Sequence, residues 1–307
     1  MSEHGLKFNK ALGQNFLTDE SVLEEIVAAG EIDKETNVLE IGPGAGALTT
    51  RLARVAKKVV AVEIDTGLIP LLAENLAEFE NAKVIHGDIL EISLKTLFET
   101  EFTEGPVKVV ANLPYYITTP IVMKLLEDNP GFESLVIMVQ KEVADRLTAE
   151  PGSKNCGAIT YSVNYCCETE NIVDVPPEAF VPAPKVWSSV IRLKPRSKAP
   201  VEVENEAHFF ALIKAAFLMR RKTFMNCVSQ NKVVGVDKEV LREILVELGI
   251  SETIRGEALS LMQFSQISNA FFGAQLAHQL QYSSQLAFFA QVTNADFIQG
   301  CRGICNR

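Results

Sequence analysis

The segment Asn37-Val-Leu-Glu-Ile-Gly-Pro-Gly-Ala-Gly46 constrains this chain more than any other. Its apolar run reads as a buried strand, and the glycines after it let the backbone turn sharply and approach a ligand before a helix begins. Around it, β-branched runs at 38–41, 59–64, 83–86, 107–111, 134–140, 170–175 and 187–193 alternate with apolar residues at helical spacing over 48–56, 68–79, 120–127 and 141–148. That alternation is how parallel α/β sheets read in sequence, and it predicts a doubly wound, seven-stranded Rossmann-like sheet. In such a sheet the ligand sits beyond the carboxyl ends of the strands, so residues directly after strands are the candidate site.

The glycine turn alone leaves two cofactors open. Gly42, Gly44 and Ala47 satisfy the dinucleotide pattern G-x-G-x-x-A, and Glu63 stands 19 residues after Gly44 at the end of the next strand. An acid there accepts hydrogen bonds from ribose hydroxyls, and nicotinamide dinucleotides and S-adenosylmethionine both carry such a ribose. The following strand ends in His86-Gly87-Asp88-Ile89, placing a second carboxylate where it can accept from an adenine amine. Separately, each acid is matched by an ordinary turn residue. As an ordered run along one sheet edge they are far more specific.

The fourth strand ends in Asn112-Leu113-Pro114-Tyr115. An adenine amine is a poor nucleophile because its lone pair is conjugated with the ring. The Asn112 carboxamide oxygen and the Leu113 backbone carbonyl can accept its two N–H groups and favour a tetrahedral nitrogen aimed at a methyl group, which is catalysis by positioning and electrostatics. Pro114 stiffens the turn, and Tyr115 can stack on an unstacked base. An ordinary Asn-Pro turn is the plain alternative.

The cationic linker 194–200 (Lys-Pro-Arg-Ser-Lys-Ala-Pro) closes the α/β pattern, and beyond it the spacing is helical only, over 207–219, 223–230, 238–248 and 261–269. The expected organisation is a cofactor-binding domain over 1–197, a small all-helical domain over 198–270, and an unassigned tail, 271–307. A net charge of −10 excludes a protein that coats nucleic acid nonspecifically. Residues 181–230 nevertheless hold nine Lys/Arg against three Glu, a local net of +6 that predicts one basic face. The six cysteines fit no secreted disulfide framework, no metal-ligand set is apparent, and neither a membrane span nor a signal-peptide core is present, so a reduced, cytoplasmic protein is expected.

Taken in order, Gln14-Asn15-Phe16-Leu17, Glu40-Ile41-Gly42-Pro43-Gly44-Ala45-Gly46, Glu63, Gly87-Asp88-Ile89, Asn112-Leu113-Pro114-Tyr115 and Phe180-Val181-Pro182-Ala183-Pro184-Lys185-Val186 resemble the motifs of the small-subunit (16S) ribosomal RNA adenine dimethyltransferases, kin to the macrolide-resistance methylases and mitochondrial transcription factor B. The resemblance spans roughly residues 7–270. It implies S-adenosylmethionine as cofactor, with Asn15 and Leu17 covering its methionine end, Gly42 touching it, Glu63 on the ribose, Asp88 on the adenine, and Asn112 between cofactor and substrate. It also implies Phe180 near the target base opposite Tyr115, and two adjacent adenosines of the 3′-terminal hairpin of small-subunit RNA as substrate, in an immature 30S-type subunit met by a monomer. Lys185 and Arg220-Arg221-Lys222 are candidate RNA contacts. After Thr223 the chain departs from the family, with Phe224-Met225 and Cys227-Val228 where more polar residues are expected. The competing readings are a nicotinamide oxidoreductase, which leaves Asn112 to Tyr115 unexplained, and an assembly checkpoint in which methylation is secondary.

Overall fold

The computed structural model describes residues 15–219, 221–231, 234–235 and 237–273. They form two compact units that divide between Pro200 and Val201.

The first unit runs β1 (Phe16–Leu17), α1 (Glu20–Ala29), β2 (Asn37–Ile41), α2 (Ala47–Val55), β3 (Lys58–Glu63), α3 (Ile69–Asn75), β4 (Ala82–His86), α4 (Leu94–Glu101), β5 (Val107–Asn112), α5 (Thr118–Asp128), β6 (Ser134–Gln140), α6 (Lys141–Leu147), α7 (Ala158–Cys166), β7 (Cys167–Val175), β8 (Phe180–Val181) and β9 (Ser188–Pro195). Seven strands make one sheet in the order β4-β3-β2-β5-β6-β9-β7. Because side chains alternate across a strand, its two faces have separate cores. Val38, Val59, Val110, Val136 and Val190 pack with α1 and α2 on one face. Leu39, Val60, Val109, Ile137 and Ile191 pack with α4, α5 and α7 on the other. Burial on both faces explains why the central strands read as continuous apolar runs.

Two features differ from the sequence reading. The sheet is mixed rather than all parallel, since β9 pairs antiparallel with both β6 and β7. Hydrophobic spacing carries no strand direction, and the chain between β7 and β9 supplies no α-helix that could cross over for a parallel return. In addition, β1 and β8 form a separate two-stranded antiparallel ladder, Phe16 opposite Val181 and Leu17 opposite Phe180. Two-residue strands are too short to leave a periodic signature. Helices α1, α4 and α7 also lie outside the helical segments read from spacing; α1 and α4 are capped by Asp19 and Ser93, whose side chains accept from backbone N–H groups of the first turn.

The second unit contains α8 (Glu206–Ala216), α9 (Phe224–Val228), α10 (Lys238–Glu247) and a helix over residues 261–273. Asn205, Thr223 and Asp237 cap the first three through side-chain oxygens. Phe224, Met225, Cys227 and Val228 are all buried, and Phe224 meets Phe264 edge to face at 5.8 Å. Their apolar character is thus accounted for by the core of this unit. Residues 274–307 of the unassigned tail, with Cys301 and Cys305, lie outside the described residues. The four described cysteines, Cys156, Cys166, Cys167 and Cys227, are free thiols. No helix among the described residues is long and apolar enough to cross a membrane.

The basic stretch is less available than its charge count suggests. Arg192 bonds Glu170 and Glu31 at 2.6 and 2.8 Å, and Arg196 bonds Glu168 at 3.1 Å. Acids from elsewhere in the first unit therefore neutralise part of it. Sequence windows do not register such long-range partners.

Candidate active site

Strand order reverses at β2: the chain proceeds outward through β3 and β4, then returns to β5 on the other side. The carboxyl ends of β2 and β5 therefore diverge into a crevice, the place where open α/β sheets hold ligands. One pocket lies there, and it brings together Asn15, Leu17, Gly42, Glu63, Asp88, Asn112, Leu113, Pro114, Tyr115 and Phe180. Lys185 is exposed and is not part of its lining. Arg221 and Lys222 are exposed in the second unit, and Arg220 lies outside the described residues.

The floor follows from the glycine turn. Gly42 and Gly44 adopt φ of +70° and +61°, a left-handed conformation that side chains disfavour. A Cβ on Gly44 would stand 3.2 Å from the Phe16 ring, so the missing side chain is what lets β1 fold over the loop. Gly44→Ala is expected to lower unfolding free energy by about 1 to 3 kcal/mol through backbone strain, and to weaken cofactor binding. Urea denaturation and calorimetric titration check both; a variant as stable as wild type would contradict the strain.

Glu63 secures the loop to β3. Its Oε2 accepts from Gly44 N–H at 3.1 Å and its Oε1 from Asp65 N–H at 2.8 Å. Burial raises its carboxyl above the ordinary range, and the backbone donors at Asp65 and Gly44 oppose the rise. Asp88 accepts from Leu90 N–H at 2.8 Å through Oδ1, a local turn that orients the carboxylate. Asn112 ends β5, half-buried, and Leu113 is anchored by its N–H to the Met138 carbonyl at 3.1 Å. The Pro114 carbonyl accepts from the Thr118 hydroxyl at 3.2 Å, which ties the turn to the start of α5.

Two residues that sequence reasoning passed over bear on the site. Glu40, the acid within the glycine motif, is 1% exposed and lines the pocket. Its Oε2 has no hydrogen-bond partner among the described residues, nor has Oγ1 of Thr49. Burial pushes the Glu40 carboxyl up to about 8; the nearby Thr49 hydroxyl opposes this and the Glu63 charge adds to it. An acid in an otherwise apolar strand was the available signal. Ser188, at the start of β9, is fully buried with its hydroxyl 2.7 Å from that of Tyr115. That bond joins residues 73 apart in sequence, and no local pattern announces it.

The pocket's chemistry discriminates between ligands. Glu40, Glu63 and Asp88 line it, and no Lys or Arg does among the described residues. A dinucleotide's pyrophosphate would face acid groups without a cationic side chain. A cationic ligand bearing hydroxyl and amine donors matches the acceptors.

Comparison with known proteins points the same way. The family model described as ribosomal RNA adenine dimethylase matches residues 5–271. A protein named ribosomal RNA small subunit methyltransferase A from Bacillus cytotoxicus is 49% identical over 272 residues, 88% of this chain and 93% of the relative. One of the same name from Clostridioides difficile is 46% identical over 269 residues, 88% and 92% of the two chains. Among solved structures, a dimethyladenosine transferase from Plasmodium falciparum superposes with a TM-score of 0.67 at 27% identity, covering 82% of this chain and 95% of that one. The 23S rRNA methyltransferase ErmE gives 0.63 at 26% identity, covering 84% and 99%.

Proposed function

The chain belongs to the ribosomal RNA adenine dimethylase family, and from that premise we propose that it transfers methyl groups from S-adenosylmethionine to the N6 amines of two adjacent adenosines in the 3′-terminal hairpin of small-subunit ribosomal RNA during ribosome biogenesis. Identity to the small-subunit enzymes well above that to ErmE favours this RNA over the 23S RNA named for ErmE. The observation that carries the proposal is the meeting of the Asn112 to Tyr115 turn with Gly42, Glu63 and Asp88 in one pocket.

The pocket's residues suit the cofactor. The left-handed Gly42 and Gly44 keep the floor free of side chains, and the orphaned Glu40 oxygen awaits a donor. Asn15, Leu17 and Gly42 would hold the methionine end, Glu63 would accept from the ribose hydroxyls and Asp88 from the adenine amine. Bound S-adenosylmethionine supplies an electrophilic methyl on a cationic sulfur. The target adenine enters between Tyr115 and Phe180. The Asn112 carboxamide oxygen and the Leu113 carbonyl would accept its N6–H groups and orient the nitrogen lone pair for transfer. The proton leaves after transfer, when the nitrogen is cationic and acidic, so no side-chain base is assigned. Lys185, Arg220, Arg221 and Lys222 contact the RNA backbone. The partner is an immature 30S-type subunit, met by a monomer in the cytoplasm.

Ser188 positions Tyr115 for this stack. Ser188→Ala is expected to raise the RNA KM by about fivefold, the worth of one neutral hydrogen bond. The Tyr115 phenol, already raised by burial against the opposing Ser188 bond, should titrate higher still. Ultraviolet pH titration and steady-state kinetics read these effects, and an unmoved KM would remove the role.

The deciding experiment is mass-spectrometric mapping of modified nucleosides in immature small subunits incubated with the purified protein and cofactor. N6,N6-dimethyladenosine at two adjacent 3′-hairpin positions is expected. Cofactor binding without methyl transfer would overturn the proposal.

A further inference from the structure

The chain contains one tryptophan, Trp187, and its side chain is 50% exposed. Tyr116 is 57% exposed, and Val186, immediately before Trp187, and Val181, in the segment leading to it, are exposed as well. Large apolar groups left in water forgo a substantial burial gain, so several of them in one region call for a partner. Their backbones are not loose. The Trp187 carbonyl accepts from Lys141 N–H at 2.9 Å, which extends the β6–β9 ladder one step past the Gln140–Ser188 pair. Pro182 and Pro184 restrict the segment leading in.

Position in the chain ties this region to the active site. Trp187 immediately precedes Ser188, whose hydroxyl lies 2.7 Å from that of Tyr115. Tyr116 immediately follows Tyr115, and itself lines the pocket. Each exposed aromatic thus adjoins, in sequence, one partner of the Tyr115–Ser188 bond. Lys185, an exposed cation, stands two residues before the tryptophan.

Resting on the function proposed above, we propose that Trp187 and Tyr116 form a second stacking platform, at the pocket mouth, for an unpaired base next to the target adenosine, with Lys185 against the adjoining phosphate. A base drawn into the pocket remains covalently joined to its neighbours, which must lie at the pocket mouth, and every base offers a π-face to an aromatic side chain. Stacking and a cationic side chain suit single-stranded RNA better than a protein surface, for which Lys is a poor interface residue. Holding the neighbour in place would also keep the strand registered for the second of two adjacent targets.

Because Trp187 is the sole tryptophan, its fluorescence reports the platform directly. Titration of the full chain with unmodified 3′-hairpin RNA, which contains no fluorescent residue of its own, is expected to quench it. Trp187→Ala should raise the KM for immature small subunits by about 5- to 150-fold, the range of one lost stack, with kcat little changed. Trp187→Phe should recover most of the loss, and Tyr116→Ala should fall between. Calorimetric affinity for S-adenosylmethionine and the melting temperature should match wild type in the two Trp187 variants, which separates a lost RNA contact from misfolding. RNA binding without quenching, or an unaltered KM for Trp187→Ala, would overturn the platform while normal methylation leaves the proposed function standing. A KM defect on whole particles with unchanged affinity for free hairpin RNA would assign the patch to a ribosomal protein and equally overturn it. Absence of methylation by the wild-type chain would instead strike the function itself.

Discussion

Asn112→Ala is expected to lower kcat for adenine methylation by about 100- to 1000-fold, the usual cost of removing one preorganised polar group that acts on the transition state. The substitution deletes an acceptor at the end of β5 without disturbing the turn's anchors, since the Leu113 N–H bond to Met138 and the Thr118 bond to Pro114 are independent of the Asn112 side chain. Cofactor affinity should fall much less, because Glu63 and Asp88 remain on their own strands. Single-turnover kinetics with saturating RNA and cofactor separates the two effects. An equal fall in cofactor affinity and in rate would mean that Asn112 serves binding and leaves the amine unoriented. Asn112→Asp keeps an acceptor but adds charge near two other acids, and should restore only part of the rate.

The second large effect concerns Glu40. Its carboxyl stands at about 8 in the folded protein against an ordinary 4.5, because full burial disfavours the ionised form. The groups facing it are Thr49 on α2 and Glu63 on β3. Between the unfolded and folded values the native state keeps a proton that the unfolded chain has lost. Stability from this group is therefore complete below pH 4.5 and declines as pH rises toward 8. The full decline is on the order of 4 kcal/mol. Glu40→Gln removes the titration, so the variant should gain on wild type by a few kcal/mol at pH 8 relative to pH 4 in the cofactor-free protein. Urea denaturation at the two pH values measures this. A stability difference independent of pH would show that folding leaves the Glu40 titration unshifted. Without its ionisable acid, the variant should also bind S-adenosylmethionine more weakly, since a cationic ligand stabilises the carboxylate that burial opposes.

The site residues differ in how legibly they were written. Gly42, Gly44, Glu63, Asp88 and Asn112 each follow a strand whose apolar run is visible in sequence, so their places on one sheet edge could be read from strand ends alone. Glu40 was hidden because it sits inside a strand, where alternation puts it on the α1 and α2 face and only the sheet's burial reveals its cost. Ser188 was hidden because its partner is 73 residues away. Arg192 counts toward the basic window in sequence and is an ion-pair hub with Glu31 and Glu170 in the fold. In the second unit, Phe224, Met225, Cys227 and Val228 depart from the family pattern in sequence and are core residues.

Local chemistry settled a great deal: which segments are strands, that a glycine turn opens onto a helix, and which acids and amide end the strands, because those properties depend on neighbours a few residues apart. Strand direction, the β1–β8 ladder that joins the residues before α1 to Phe180, the hydroxyl bond that holds Tyr115, and the proton on Glu40 were decided only by the folded chain. Each depends on which distant segments share a face and how far water is excluded between them, and spacing along the chain encodes neither.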